Sequence, residues 1–155
     1  MMRRGPSVRR AGKPTPQDDV IAEEFAGHGL RATRQRLEVL RLLRSAENHP
    51  SVAELHRKLA RTQPRVSRKT VYEILDSFVR VGFASVVTEG GEPYRYEAKT
   101  DPHYHARCRA CDRIFDLPAD GGSRLRGSQW LPEGFKIETV AVTFRGLCGR
   151  CRDKI

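Results

Sequence analysis

Ser67-Arg-Lys-Thr-Val-Tyr-Glu-Ile-Leu-Asp-Ser-Phe-Val-Arg80 is the stretch on which the fold turns. Val71, Ile74, Leu75 and Phe78 recur at i, i+3, i+4 and i+7, which lays one apolar stripe along an α-helix. Ser67 is of the residue type that caps such a helix, because its hydroxyl accepts from an orphan backbone N–H of the first turn. The opposite face carries Lys69, Tyr72, Glu73, Asp76 and Arg80, with Arg68 on its flank. After Gly82, two β-prone runs, Phe83–Val87 and Tyr94–Glu97, flank Glu89-Gly-Gly-Glu92. Two such runs around a Gly-Gly turn predict a hairpin.

Upstream the pattern stays helical. A first helix is expected over Asp18–His28, stopped by Gly29 as its C′ residue. A second starts near Thr33, places Val39, Leu42, Leu43 and Ala46 on one face, and ends by Asn48-His49-Pro50, where proline discourages continuation. Ser51 with Glu54 three residues on is a capping box, and Val52, Leu55 and Leu59 form the stripe of a third helix. Thr62-Gln-Pro-Arg65 is then the turn into the Ser67 helix. Helices followed by a hairpin in this order predict a winged helix-turn-helix.

Downstream of Lys99 the texture changes. Short β-type runs, Arg113–Leu117 and Phe135–Phe144, enclose a loose, glycine-bearing stretch over Asp120–Glu133. The chain therefore divides near 98–100, and the fold class is α+β: an N-terminal winged helix and a small second domain.

The formal net charge is +10, which points to a polyanionic partner, nucleic acid before membrane. Residues 1–17 hold Arg3, Arg4, Arg9, Arg10 and Lys13 without an acid, so half of the excess lies there. Gly, Pro and Ser separate these charges and no apolar run follows them, so a disordered basic tail is expected and a signal peptide is not. No stretch approaches a transmembrane length, so a cytoplasmic protein is expected.

All four cysteines lie in the last third, as Cys108-x-x-Cys111 and, after 36 intervening residues, Cys148-x-x-Cys151. Paired thiolates on two tight turns supply a tetrahedral sulfur shell suited to structural Zn²⁺. Four free or redox-active cysteines are the plainer alternative. A closed tetrathiolate has no open coordination position, so it would staple a domain and not catalyse. Just before it stands His103-Tyr-His105, whose imidazoles share one side if the segment is a strand. Glu97 and Asp116 are near enough in sequence to lend oxygens, and such a mixed set suits Fe²⁺, Mn²⁺ or Zn²⁺. His28 and His56 read as structural, and His49 by itself as a loop residue or a partner of a helix C-terminal dipole. On the Ser67 helix, Arg68, Lys69 and Tyr72 are donor and aromatic types that contact base edges, thymine methyls and phosphates. Glu73 and Asp76 oppose this, because acids repel phosphate.

At these residues the chain resembles the ferric uptake regulator (Fur) family. Gly29-Leu-Arg-Ala-Thr-Arg-Gln-Arg36 is similar to that family's entry into its second helix, and Ser67-Arg-Lys-Thr-Val-Tyr72 to its recognition-helix start. His103-Tyr-His-Ala-Arg-Cys-Arg-Ala-Cys111 resembles its hinge-and-zinc segment, and Gly146-Leu-Cys-Gly-Arg-Cys151 its closing zinc pair. The resemblance implies a homodimer on palindromic double-stranded operators, DNA contacts from Ser67, Arg68, Lys69, Thr70 and Tyr72, and a regulatory metal held by His49, Glu97, His103, His105 and Asp116. With the composition and pattern above, the chain is expected to have three parts: a disordered basic tail over 1–17, a winged-helix DNA-binding domain over 18–98, and a metal-binding dimerisation domain over 99–155. The His-Tyr-His triplet and Asp116 resemble the peroxide-responsive branch, whereas Glu97 resembles the iron sensors.

The reading reached is a metal-dependent repressor, not an enzyme, with structural Zn²⁺ and regulatory Fe²⁺ or Mn²⁺, sensing peroxide through the latter. An iron, zinc or manganese homeostasis regulator is the alternative within the class. A small metallohydrolase on His103, His105 and Glu97 lacks a base-bearing motif, and a zinc-ribbon RNA-binding protein leaves the winged helix unexplained.

Overall fold

The computed structural model describes residues 16–87, 93–98, 101–119, 131–137 and 140–154. The basic tail up to residue 15, the Gly-Gly turn and most of the loose 120–133 stretch lie outside the described residues. The chain forms two compact units, Met1–Thr100 and Asp101–Ile155.

In the first unit α1 spans Pro16–Gly27, α2 Arg34–Arg44, α3 Val52–Leu59 and α4 Arg68–Arg80. Helix α1 begins two residues before Asp18, since proline is tolerated in a first turn where its missing N–H has no intrahelical partner. It ends in a Schellman arrangement. Leu30 N–H donates to Phe25 C=O at 2.8 Å and Gly29 N–H to Ala26 C=O at 3.0 Å, with Gly29 at φ +69°. Thr33 caps α2, Ser51 and Glu54 complete both halves of the capping box on α3, and Ser67 Oγ accepts from Thr70 N–H on α4 at 3.0 Å.

The expected stripe of α4 is buried throughout: Val71, Ile74, Leu75 and Phe78. On α2 the buried face is Val39, Leu40 and Leu43, with Leu42 and Ala46 only half-buried. The difference has a packing cause, because α2 touches α1, α3, α4 and β2 and so covers more than one stripe. Helix α2 also stops at Arg44, before the proline, where Ser45 Oγ donates back to Leu42 C=O at 3.3 Å. Phe25, Phe78 and Phe83 pack with ring centroids 5.2–6.1 Å apart at the centre of this core.

The wing is short: β1 (Ser85–Val86) runs antiparallel to β2 (Tyr96–Glu97), with Ser85 opposite Glu97. A third piece of chain joins it. Ser51 forms an antiparallel bridge with Arg95, and Tyr96 N–H donates to Pro50 C=O at 3.1 Å.

In the second unit β3 (His103–Cys108) is the central strand, flanked by antiparallel β4 (Ile114–Pro118) and parallel β5 (Thr143–Gly146). The short helix α5 spans Gly149–Arg152. The β-type run expected from Phe135 contributes a ladder only from Thr143, the residue opposite His105. Directly before it, Val142 C=O accepts from His105 N–H of β3 at 3.0 Å.

Candidate metal centres and nucleic-acid interface

The four cysteines converge because β3 and β5 end side by side, Cys108 opposite Gly146, and α5 begins just beyond. Cys108 closes β3 and is 2% exposed, and Cys111 sits on the turn that follows. That turn is fastened by Asp112 N–H to Cys108 C=O at 2.9 Å and by Cys108 N–H to Arg113 C=O at 2.9 Å. Asp112 takes φ +60°, a left-handed conformation that Asp tolerates better than most residues, and Arg107 grips its carboxylate. On the other side Cys148 is the N-cap of α5 and Cys151 lies within it. One ligand atom from each cysteine lies within 4.8 Å of all the others, and Cys111 Sγ is 3.8 Å from Cys148 Sγ. That is far beyond an S–S bond. A tetrahedral Zn²⁺ with bonds of about 2.3 Å needs sulfur–sulfur edges of about 3.8 Å, so the cluster fits the ion.

Electrostatics points the same way. The Cys108 thiol is lowered to about 6, first by the Cys148 backbone N–H, at 3.3 Å from its sulfur, and then by that of Cys111. The Cys151 thiol is pushed up to about 12, chiefly by its hydrogen bonds to the sulfurs of Cys148 and Cys111. Backbone amides stabilise one thiolate, whereas the sulfurs around Cys151 hold its proton in place, and a cation among them would favour its release.

On β3 the two imidazoles face one side, as strand alternation requires. His103 Nε2 lies 3.0 Å from His105 Nε2, and Asp116, the cross-strand partner of His105, places Oδ1 at 4.0 Å and 3.9 Å from them. Two nitrogens at right angles around a metal with bonds of about 2.1 Å stand about 3.0 Å apart, so this half-site also fits a divalent ion. His103 Nδ1 lies 2.7 Å from Asp101 C=O. An N–H donated there keeps the proton on Nδ1 and leaves the Nε2 lone pair for coordination.

A second pair of possible ligands lies in the first unit. His49 is buried, and its Nε2 is 3.1 Å from Glu97 Oε2. Glu97 Oε1 accepts from Ser85 Oγ at 2.7 Å. The bridge of Ser51 to Arg95 holds this pair together. Arg95 Nη1 donates to His49 C=O at 3.0 Å and to Glu54 Oε2 at 3.3 Å, joining wing, histidine and the α3 cap in one network. Burial raises the Glu54 carboxyl, but the Ser51 N–H and hydroxyl and the Arg95 charge outweigh it and hold it below its ordinary value. Sequence reasoning missed Arg95. Of the other histidines, His56 Nε2 lies 3.0 Å from Val66 C=O and His28 Nδ1 lies 2.9 Å from Glu24 C=O, both helix-end contacts.

The exposed face of α4 carries Arg68, Lys69, Tyr72, Glu73 and Asp76, with Tyr72 49% exposed. Ser67 and Thr70 hydroxyls are engaged with each other at 2.9 Å at the cap. The helix-turn-helix corner adds four cations that sequence reasoning did not single out: Arg57, Lys58, Arg61 and Arg65, all exposed. A charge count would have found them, since Leu55–Tyr72 holds six basic residues and no acid.

A winged helix and a sheet bearing a four-thiol cluster and an imidazole pair define the class, a metal-responsive regulator. The model of the ferric uptake regulator family matches residues 27–145, and the chain belongs to that family. It is 29% identical over 126 residues to the peroxide-responsive repressor PerR of Staphylococcus aureus, covering 81% of this chain and 85% of that one. Among solved structures it is similar to the Helicobacter pylori ferric uptake regulator Fur, with a TM-score of 0.70, 23% identity and coverage of 86% and 90%. It is also similar to a zinc uptake regulator complexed with zinc and DNA, with a TM-score of 0.64, 26% identity and coverage of 91% and 98%. Among the described residues no helix is long and apolar enough to cross a membrane.

Proposed function

We propose that this chain is a homodimeric, metal-dependent DNA-binding repressor that senses peroxide. The observation that carries the proposal is the convergence of His103 and His105 Nε2 at 3.0 Å beside Asp116, a nitrogen–oxygen half-site distinct from the cysteine cluster. Its assignment is this: Cys108, Cys111, Cys148 and Cys151 hold structural Zn²⁺, while His103, His105 and Asp116 share one Fe²⁺ or Mn²⁺ with His49 and Glu97 of the first unit. Nitrogen and carboxylate donors suit those ions better than a soft metal. Shared ligation favours one arrangement of the two units and shifts a conformational population toward the DNA-competent state.

Arg68, Lys69 and Tyr72 are assigned to the major groove of a palindromic duplex, with Ser67 and Thr70 fixing the helix entry. The cations of the α3–α4 corner are assigned to phosphates. The exposed Phe135, Ile137, Val140 and Phe144 of the second unit support burial against a second copy.

The peroxide assignment is supported by the likeness to the Staphylococcus aureus repressor and by the Asp at 116. Fe²⁺ bound there would supply reduction of hydrogen peroxide coupled to oxidation of a ligand histidine, His49 or His103, one oxygen atom staying on the ring and the other leaving as water. Glu97 favours a second reading, a metal-homeostasis regulator that uses the same ligands without oxidation.

The test is a DNA-binding titration of the Zn-loaded protein with Fe²⁺ or Mn²⁺, before and after a low dose of peroxide. Loss of the Fe²⁺-dependent complex alone, with one oxygen atom added to the His49 or His103 peptide, is expected. Survival of both complexes, with neither peptide modified, removes the peroxide reading in favour of the second. Absence of metal-dependent duplex binding removes both.

A further inference from the structure

The reading face of α4 carries an acid where the charge of its surroundings argues against one. Glu73 is exposed on the same face as Lys69 and next to Tyr72, just past a corner with six cations and no acid between Leu55 and Tyr72. Facing a polyanion, a carboxylate there lowers affinity unless it meets a donor. Lys69 Nζ stands 3.8 Å from Glu73 Oε1, four residues earlier on the helix, and partly offsets that repulsion.

The chemistry of the major groove narrows what that donor is. Guanine presents only acceptors there, N7 and O6, and thymine an acceptor beside a methyl group. Adenine presents its N6 donor next to the N7 acceptor, which repels a carboxylate. Cytosine alone presents a donor, N4, with no neighbouring acceptor on the same base. Lys69 is a donor only, and its preferred base is guanine, through O6 and N7. An acceptor and a donor held 3.8 Å apart therefore match the two bases of C·G pairs.

Resting on the assignment of α4 to the major groove, we infer that Glu73 is a specificity-determining residue. It takes the N4 amino group of a cytosine in each half-site, with Lys69 on a guanine of the same or the neighbouring pair. The side chain is outside the buried stripe of α4, so its replacement leaves the core intact.

The experiment uses the full chain, Zn-loaded and Mn²⁺-loaded, to select duplexes from a pool with a randomised palindrome. Competition titrations on the selected duplexes then rank every base at each position. Wild type is expected to enrich cytosine at one position per half-site, with roughly five- to hundredfold preference over the other bases. Glu73→Gln is expected to move that preference to adenine, because a carboxamide pairs with N6 and N7 together. Glu73→Ala is expected to lose the preference at that position alone. Selection of the same sequences by wild type and both variants, with the variants only uniformly tighter, overturns the inference and leaves Glu73 a solvated helix residue. A wild type that enriches no sequence overturns the assignment of α4 itself, an outcome distinguishable from the first.

Discussion

Replacing Cys111 by serine separates a metal ligand from an ordinary surface residue. Cys111 is exposed and outside any apolar cluster, so as a plain surface position its substitution would change stability by no more than about 0.5 kcal/mol. As a zinc ligand it controls far more. Among the described residues of the second unit, Ile114 and Cys108 are the buried apolar side chains, whereas the first unit buries a cluster of fifteen. Full burial of an Ile contributes about 1.5–3 kcal/mol. Structural Zn²⁺ contributes about 10–16 kcal/mol in small zinc-dependent folds. With Zn²⁺ among the four sulfurs, the ion and not the hydrocarbon would dominate the stability of the second unit, as expected of a domain this small. Hydrogen exchange resolved by residue reads this directly. The Cys108, Arg109 and Asp112 amides, bonded to Arg113, Gly146 and Cys108 carbonyls, report the second unit; those of Leu55 and Val71 report the first. In Cys111→Ser, and in wild type stripped of zinc by a chelator, the former should exchange freely while the latter stay protected. Retained protection at Cys108, Arg109 and Asp112 in both samples would refute the reasoning.

Three further outcomes follow from the same geometry. Arg95→Met should weaken Mn²⁺ binding by roughly 10- to 100-fold, as loss of an outer-shell partner does, with Arg95→Lys recovering part of it; metal titration with unchanged affinity in both variants would remove Arg95 from the site. The Glu54 carboxyl is held below its unfolded value, so its contribution to stability is present above the ordinary carboxylate range and lost as pH falls through its lowered value. Urea melts from about pH 7 to about pH 3 should show that slope, and Glu54→Gln should flatten it. Replacing Arg57, Lys58 and Arg61 singly by Gln should weaken DNA binding evenly across sequences and reduce the salt slope by about one for each phosphate no longer neutralised; an unaltered slope would place these cations outside the interface.

Most of the first unit was legible because its signals act over one or two helical turns. The stripe Val71, Ile74, Leu75, Phe78 and the Ser51–Glu54 box depend only on spacing and on orphan N–H groups nearby. The cysteine cluster was legible for a similar reason: each Cys-x-x-Cys turn presents two sulfurs locally, and only their meeting needed the fold. Leu40 escaped because its burial depends on how many neighbours surround α2, a quantity no periodicity contains.

The sequence by itself determined the four helices of the first unit, the caps of α3 and α4, the sulfur donor set and the side of β3 on which the two imidazoles lie, since strand alternation is a property of the backbone. Only the tertiary structure decided that His49 meets Glu97. That meeting depends on the Ser51–Arg95 bridge and on the Tyr96 amide reaching Pro50, strand-type bonds between segments more than forty residues apart. Backbone hydrogen bonds of that kind are the same for every residue type except proline's missing donor, so side-chain identity carries no trace of which distant segment will be chosen. The choice comes from closing the core, and with it comes the His49–Glu97 pair.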